Sequence, residues 1–336
     1  MLGRILGTVI VVLVAVALGI LVWPQLLGLE DAAFIAQAVA LRGASAAIAF
    51  IAVILLTLLA LLIRPVRGFF AGLAIVGLAF VIANVAIITT RGAVGGDLPT
   101  PGPGAITVLA WNTFGEAPPA QDVIDLIETT GADVVSLPET AYDRGAEIVA
   151  ALAANGIQMQ QLTFAYDTVA KTNSTTLLVS VDLGAYTADT VTKTTLGPPS
   201  LVATPVDGAG PVIAAVHTTR PGVQDPAQWA ADLRWVATLC TTPDLIVAGD
   251  LNSTIDHWAA LADPGVPGAD IGSCTDAAAS SGSGAIGTWP SSVPALLGSP
   301  IDHILTGPGW TSSGFRVIES EDGSGSDHRP GNVHGG

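Results

Sequence analysis

Charged residues are scarce in this chain of 336 residues, and basic residues are the scarcest. Asp, Glu, Lys and Arg make up 12% of the sequence, and Lys and Arg contribute only 12 residues against 28 Asp and Glu. Tight binding to a nucleic-acid duplex normally neutralises several phosphates with Lys and Arg. A formal net charge of −16 also repels polyanions at long range. The composition therefore argues against a long nucleic-acid footprint.

Cysteine is almost absent, because the chain holds only Cys240 and Cys274. Neither belongs to a CxxC or a Cys/His cluster, which argues against a zinc site. Two cysteines suffice for one disulfide, but their spacing alone cannot prove it. From the sequence, a disulfide and a pair of buried free thiols both stay open.

Long apolar runs are what the sequence has in excess. Half of the residues are apolar, and the excess lies in three runs without Asp, Glu, Lys or Arg, at residues 5–23, 44–63 and 69–90. Each run is near the ~20 residues that cross a hydrocarbon core, and the first is too long for the apolar part of a signal peptide. We predict a membrane anchor over residues 1–90 that enters the lipid bilayer with three transmembrane helices. Because charges inside spans usually mark transport, their absence favours a plain anchor over a transporter or channel.

Basic residues beside the runs predict the orientation of the anchor. Arg4 precedes the first run, and Arg64 and Arg67 lie between the second and the third. The positive-inside rule places these three residues in the cytoplasm. Three spans then put everything after residue 90 on the extracytoplasmic side of the cell membrane, although Arg91 argues weakly against this. An oxidising exterior would also let the two cysteines pair.

A Gly/Pro-rich segment, residues 91–104, lacks apolar periodicity and is typical of a linker. After it, residues 105–336 predict a water-facing α/β domain that opens with a strand–helix–strand pattern. Polar residues lie at the ends of its predicted strands: Asn112, Glu139, His217, Asp250, Asn252 and Asp302. We expect Asn112 and Glu139 to share one rim of a sheet, where sites tend to form.

Six short motifs in this domain resemble a known family. In chain order they are WN at 112, PE at 139, His217, GDLN at 249–252, PIDHIL at 300–305 and SDHRP at 326–330. Each is weak alone, but their order resembles the endonuclease/exonuclease/phosphatase family over about residues 105–330. The resemblance implies a deoxyribonuclease-like four-layer α/β sandwich, in which helices flank a two-sheet β-sandwich, preceded here by the three transmembrane helices.

The resemblance also implies a metal-dependent phosphoesterase. Mg²⁺ prefers oxygen ligands, and the family pattern assigns them to Asn112, Glu139 and Asp327, with Mn²⁺ as the second candidate metal. Whether one or two metals act stays open.

Five further residues carry catalytic roles by the same resemblance. Asp250 would orient or activate a water, Asn252 would hydrogen bond a phosphate oxygen, and His217 would act near the leaving group. His328 would contact the phosphate, and Asp302 would hold its ring and favour its charged form.

The sequence leaves alternatives open for the substrate and for the catalytic activity. The substrate is a phosphate ester, and nucleic acid, a phospholipid head group and a small phosphodiester all stay open. In the family the last motif leads into an apolar closing strand, whereas GNVHGG at residues 331–336 is not predicted to be a strand. This departure supports an alternative, either a catalytically degenerate, membrane-attached binding or sensory module or a truncated chain.

Several other polar and aromatic residues have simpler interpretations. Trp289 either lines the substrate cleft or only packs a loop. The family pattern gives the role to Asp302 and leaves His303 structural. His257 and His334 show no partner pattern, so we expect them on the surface.

Overall fold

Three long apolar helices and one short helix form the N-terminal part of the chain. The computed structural model describes residues 2–95, 98–166, 169–189, 194–222 and 226–336. The first helices are α1 (Leu2–Val22), α2 (Ile35–Ala40), α3 (Arg42–Leu62) and α4 (Arg67–Arg91). The 21 residues of α1 or α3 cover about 30 Å, which matches the thickness of a hydrocarbon core. By length and composition, α1, α3 and α4 are the helices of the described ranges that could cross a membrane, and they overlap the predicted runs.

Twelve strands and four further helices follow within the described residues. The strands are β1 (Ile106–Ala110), β2 (Val134–Pro138), β3 (Met159–Ala165), β4 (Ser174–Ser180), β5 (Tyr186–Asp189), β6 (Leu201–Pro205), β7 (Val212–His217), β8 (Leu245–Asp250), β9 (Thr275–Asp276), β10 (Asp302–Thr306), β11 (Ser312–Val317) and β12 (Gly331–Gly335). The helices are α5 (Ala120–Thr130), α6 (Tyr142–Ala154), α7 (Pro226–Leu239) and α8 (Ala277–Ser280).

The strands pair into two six-stranded mixed sheets. The order is β11-β12-β1-β2-β4-β3 in the first sheet and β5-β6-β7-β8-β10-β9 in the second. Each sheet has one parallel pair near its centre, β1–β2 in the first and β7–β8 in the second, and its other pairs are antiparallel. Because parallel strands end at the same edge, each sheet presents two strand ends to one rim.

The two sheets pack face to face, with helices outside them. The apolar cluster between the sheets joins Val108 and Val134 of the first sheet to Ile213 and Ile246 of the second. Helices α5 and α6 pack on the outer face of the first sheet, and α7 packs on the outer face of the second. Two helix-flanked sheets after three long apolar helices confirm the predicted four-layer α/β sandwich.

The prediction that the chain lacks its closing strand is wrong. Residues 331–335 form β12, which is buried and pairs antiparallel with both β1 and β11. Glycine fits there because aromatic rings fill the space of a side chain. A Cβ on Gly331 would lie 2.8 Å from the Phe315 ring, and a Cβ on Gly335 would lie 2.5 Å from the Trp310 ring. Pairing on both sides thus overrides the low strand propensity of glycine.

The two histidines expected on the surface are buried. His257 is 1% exposed and His334 is 6% exposed. The Nε2 of His257 lies 3.1 Å from the carbonyl oxygen of Ala36, and the Nδ1 of His334 lies 3.0 Å from the hydroxyl of Thr107. Both partners are distant in sequence, so no local pattern could indicate these contacts.

A buried ion-pair cluster joins the long helices to the α/β domain. Asp256 receives two hydrogen bonds from Arg42, at 2.7 and 2.6 Å, and two from Arg91, at 2.5 Å each. Arg42 also donates to the Asn84 side chain on α4 and to the carbonyl oxygen of Val22 on α1. Burial alone would raise the pKa of Asp256, but the two guanidinium groups hold it well below its usual range.

The start of the predicted linker also contacts the domain. The carbonyl oxygen of Arg91 accepts a hydrogen bond from Gly284, and that of Gly92 accepts one from Ala285. Residues 96 and 97 of the predicted linker lie outside the described residues. The described part of this segment is therefore attached to the domain at its first residues.

A disulfide fastens the region behind the second sheet. Cys240 follows α7, Cys274 precedes β9, and their Sγ atoms are bonded across a sequence separation of 34. Both residues are fully buried in the cluster between α7 and the second sheet. The bond therefore ties the end of α7 to the loop that leads into β9.

Replacing Cys240 and Cys274 together by Ala should lower the free energy of unfolding by about 3–4 kcal/mol, because closing a loop of this length restricts the unfolded chain. Denaturant unfolding in detergent micelles measures the loss. Iodoacetamide added to the unfolded wild-type chain should label neither cysteine before reduction and both after it. Labelling of both without a reductant would contradict the disulfide.

Replacing Asp256 by Asn should lower the free energy of unfolding by about 3–5 kcal/mol, since it leaves two guanidinium groups without their buried partner. Asp182→Asn, at an exposed carboxylate, is the matched control and should change stability little. The pKa of Asp256 is lowered by folding, so its contribution is present above the unfolded value of about 4 and disappears as pH falls. Unfolding curves at neutral and acidic pH test this, and a gap between wild type and variant that grows on acidification would contradict it.

Candidate active site

Six strand ends meet at one rim of the sandwich. Asn112 lies two residues after β1, Glu139 directly follows β2, and His217 and Asp250 end β7 and β8. Asp302 begins the antiparallel strand β10, so it lies at the same rim. In the strand register His217 is opposite Asp250, and Asp250 is opposite Asp302. The sixth element is β12, and the residues that precede it include Asp327 and His328.

Asp250 lies at the centre of this group and is 1% exposed. Its Oδ2 accepts a hydrogen bond from the Asn112 amide at 2.9 Å, and its Oδ1 accepts one from the backbone N–H of Asn252 at 2.8 Å. The Nε2 atoms of His217 and His328 lie 3.7 and 3.8 Å from Oδ2. Burial, together with the nearby Asp302 carboxylate, raises the pKa of Asp250 to about 7. A carboxylate with this pKa can take up a proton near neutral pH.

His328 and Asp302 form a buried pair. The Nδ1 of His328 lies 2.8 Å from the Oδ2 of Asp302. Burial alone would lower the pKa of His328, but the Asp302 and Asp250 carboxylates raise it to about 10. The Ser326 hydroxyl accepts a hydrogen bond from the N–H of His328 and donates one to the carbonyl oxygen of Asn112. The imidazole is therefore held in place, and the two carboxylates favour its charged form.

His217 has the opposite electrostatic state. Burial, helped by the charge of His328, lowers its pKa to about 3. Its Nε2 also lies 3.9 Å from Glu139, and its Nδ1 is a buried atom without a hydrogen-bond partner. The two imidazoles beside Asp250 thus have pKa values shifted in opposite directions.

Glu139 and Asp327 each carry a buried oxygen without a hydrogen-bond partner, Oε2 and Oδ1 respectively. Glu139 adopts a φ of 62°, a left-handed conformation that costs energy for a non-glycine residue and that concentrates at functional sites. Burial raises the pKa of this carboxyl. Both residues line the same cleft, and carboxylate oxygens are ligands that suit a hard divalent cation.

A second group of side chains could also hold a metal by geometry. Asp250, Asp302 and His328 place one ligand atom each within 4.8 Å of one another. The Nδ1 of His328 pairs with Asp302 and leaves Nε2 available, an arrangement that is usual for metal-ligating histidines. Asp302 does not line the cleft, whereas Glu139 and Asp327 do, so their carboxylates are the ones that a cation in the cleft could reach.

Asn112 and Asn252 are both engaged with the protein. The Asn112 amide nitrogen faces Asp250 and lies 3.4 Å from Glu139, while its amide oxygen accepts a hydrogen bond from the N–H of Phe114. The Asn252 amide donates to the carbonyl oxygen of Thr218 and to Asp250. Asn252 has a φ of 45°, which Asn tolerates better than most residues. Both amides hold the central carboxylate in place.

The site opens into a cleft of about 720 Å³. All predicted site residues except Asp302 line this cleft, and Asp302 lies behind His328. Trp289 lines it too and donates from Nε1 to the Oδ2 of Asp327 at 2.9 Å, so it belongs to the cleft. His303 lies outside the cleft lining and contacts Asp276 and the carbonyl oxygen of Ser253, in agreement with a structural role.

Sequence reasoning missed one wall of the cleft. Gln37 and Ala40 of α2, together with Leu41, line it from the segment between α1 and α3. Two polar residues in an otherwise apolar stretch, Gln37 and Arg42, are the sequence feature that could have indicated this contact with the domain.

A sequence model of the Endonuclease/Exonuclease/phosphatase family matches residues 109–328. The chain therefore belongs to this family, whose members are hydrolases that act on phosphate esters and depend on divalent metals. No curated protein matches the chain.

Solved structures of other proteins share the fold. Humanised D. rerio TDP2 is 17% identical, with 69% of this chain and 99% of that chain covered and a TM-score of 0.52. The D. rerio TDP2 complex with a single-strand DNA product is 16% identical, with 69% and 99% covered and a TM-score of 0.50. The family protein from Beutenbergia cavernae is 18% identical, with 69% and 71% covered and a TM-score of 0.46. At these identities the first two likenesses support the fold alone.

Proposed function

We propose that this chain is a membrane-anchored, divalent-metal-dependent phosphoesterase that works on the extracytoplasmic side of the cell membrane. One observation carries the proposal: the polar residues chosen from six separate motifs converge around the buried carboxylate of Asp250. Such a set can hold a phosphate, orient a water and transfer its proton. The proposed boundaries are residues 1–90 for the anchor, 91–104 for the linker and 105–336 for the catalytic domain.

Glu139 and Asp327 are the proposed metal ligands, with Asn112 beside them. Mg²⁺ is the first candidate because both ligands are carboxylates, and Mn²⁺ is the second. When bound, the metal would neutralise charge on the phosphate oxygens. Trp289 fixes the orientation of the Asp327 carboxylate through its indole N–H, so it acts as a positioning residue for this ligand.

Asp250 is the proposed general base. It is buried, and Asn112 and the Asn252 backbone fix both of its oxygens, so its free lone pairs face His217, His328 and the cleft. A water held there can give one proton to Asp250 as its oxygen attacks phosphorus. The P–O bond to the leaving group then breaks, and the leaving oxygen takes up a proton from solvent. The raised pKa brings this carboxylate close to neutral pH, where a general base works best.

The two histidines take different proposed roles because their charges differ. His328 is charged and paired with Asp302, so its Nε2–H can bind a negative phosphate oxygen throughout the reaction. Asn252 is proposed to hydrogen bond a phosphate oxygen by exchanging one of the bonds that its amide donates to Thr218 and Asp250. His217 is neutral and lines the same cleft, where it is proposed to contact the leaving oxygen.

The substrate class stays a choice between nucleic acid and smaller phosphate esters. The acidic chain argues against a long polyanion, while the D. rerio relative binds a single-strand DNA product. The alternative of a degenerate binding module loses its support, because the closing strand β12 is present. Hydrolysis is therefore favoured over binding alone.

Replacing Asp250 or His328 by Ala should lower kcat for bis-p-nitrophenyl phosphate by about 10²–10⁴, the range expected for losing a general base or a bound charge. EDTA should abolish turnover of the wild type, and Mg²⁺ should restore it. Asp207→Asn, at an exposed turn, is the control and should keep full activity. Unchanged kcat in both Ala variants, with folding verified by circular dichroism, would remove this site assignment.

Fusing a reporter after Arg91 should locate the domain. We expect alkaline phosphatase, which is active only outside the cytoplasm, to give signal, and green fluorescent protein, which fluoresces only inside, to stay dark. The reason is that the basic residues Arg4, Arg64 and Arg67 hold their ends of the helices in the cytoplasm. The reverse pattern of signals would overturn the extracytoplasmic placement.

A further inference from the structure

The segment between α1 and α3 is built into the α/β domain. Ala36 and Val39 are each 1% exposed, and Ala36 packs with Trp229 and Leu233 in the cluster of the second sheet. The carbonyl oxygen of Ala36 also lies 3.1 Å from the Nε2 of His257. The Gln37 side chain donates to the carbonyl oxygen of Pro221 at 2.8 Å. This segment therefore has a fixed position relative to the active site.

The same segment sets the distance between the active site and the bilayer. Leu41 lines the cleft, and the next residue, Arg42, begins α3. With 21 residues, α3 has just the length that spans a hydrocarbon core of about 30 Å. When α3 spans the membrane, its first residue lies at the head-group layer, and so does the adjoining wall of the cleft.

Two other helix ends lie at the same level. The Arg42 side chain contacts the carbonyl oxygen of Val22 at the end of α1. It also shares Asp256 with Arg91 at the end of α4. Three helix ends thus meet beside one carboxylate of the domain. The cleft opens next to this meeting point.

The surface around this level carries large apolar side chains. Trp23, Leu27 and Phe34, in the segment after α1, are 56%, 61% and 75% exposed. Phe114 lines the cleft itself and is 53% exposed. Exposed Trp and Phe at this level are typical of residues that rest in a membrane interface. One cation, Arg220, is exposed among the described residues that line the cleft.

We propose that the substrate is a phosphate ester of a membrane lipid, taken from the leaflet that faces the domain. Its head group would enter the cleft toward Asp250, while Leu41 and Phe114 contact the apolar part that stays near the bilayer. A lipid phosphate carries one or two negative charges, so it avoids the repulsion that an acidic chain exerts on a polyanion. The inference rests on the proposed phosphoesterase function and names its substrate class.

A matched pair of probes tests this proposal. One is a diacylglycerol phosphodiester with a p-nitrophenyl leaving group, placed in phosphatidylcholine vesicles that contain the full chain. The other is the glycerol phosphodiester with the same leaving group but no acyl chains. We expect kcat/KM to be at least about tenfold higher for the diacyl probe, since burial of apolar surface adds to its binding. EDTA should stop turnover of both.

The two failures can be told apart. EDTA-sensitive turnover of the soluble probe at an equal or higher kcat/KM than the diacyl probe would overturn the lipid assignment and keep the phosphoesterase. If neither probe is turned over, both the proposed function and the lipid assignment are overturned.

A variant pair tests whether the cleft wall supplies the preference. Phe114→Ser should lower the ratio of diacyl to soluble kcat/KM by about tenfold, the effect of losing one apolar contact of this size. Val206→Ser, at a 67% exposed apolar residue that does not line the cleft, should leave the ratio unchanged. Equal ratios in wild type and Phe114→Ser would contradict the proposed contact.

Discussion

The shared ion pair of Asp256 with Arg42 and Arg91 is the interaction that fixes the active site relative to the three long helices. Two guanidinium groups and one carboxylate are buried together, so none of them can leave without exposing an unpaired charge to a poorly solvated interior. Asp256 lies only four residues after the site residue Asn252. The short segment after β8 therefore both contributes to the active site and binds the long helices.

The site itself depends on burial of charge at the rim of two sheets. Asp250 is nearly inaccessible, and the surrounding amides, imidazoles and carboxylates decide which of its neighbours are charged. His217 and His328 have similar intrinsic chemistry but opposite states, since Asp302 is bonded to one and not to the other. Their difference in charge follows from position and not from residue type.

Local patterns were sufficient to identify the strand ends and the residues on them. Continuous apolar runs place Asn112, Glu139, Asp250 and Asp302 beside buried strands, and motif order relates them to one family. The same reasoning failed for Gly331–Gly335, because glycine has low strand propensity and nothing local indicates that the Phe315 and Trp310 rings occupy the missing side-chain space. It also failed for His257 and His334, whose partners Ala36 and Thr107 are far away along the chain.

The sequence by itself determined the three apolar helices, the acidic α/β domain, the family and the polar residues of the rim, because these follow from composition, period and motif. The tertiary structure alone decided that α2 and Leu41 form a wall of the cleft and that Arg42, Arg91 and Asp256 meet. It also decided that Trp289 orients Asp327. These contacts join residues up to about two hundred positions apart. The segments that carry them meet only when both sheets and all three helix ends are packed.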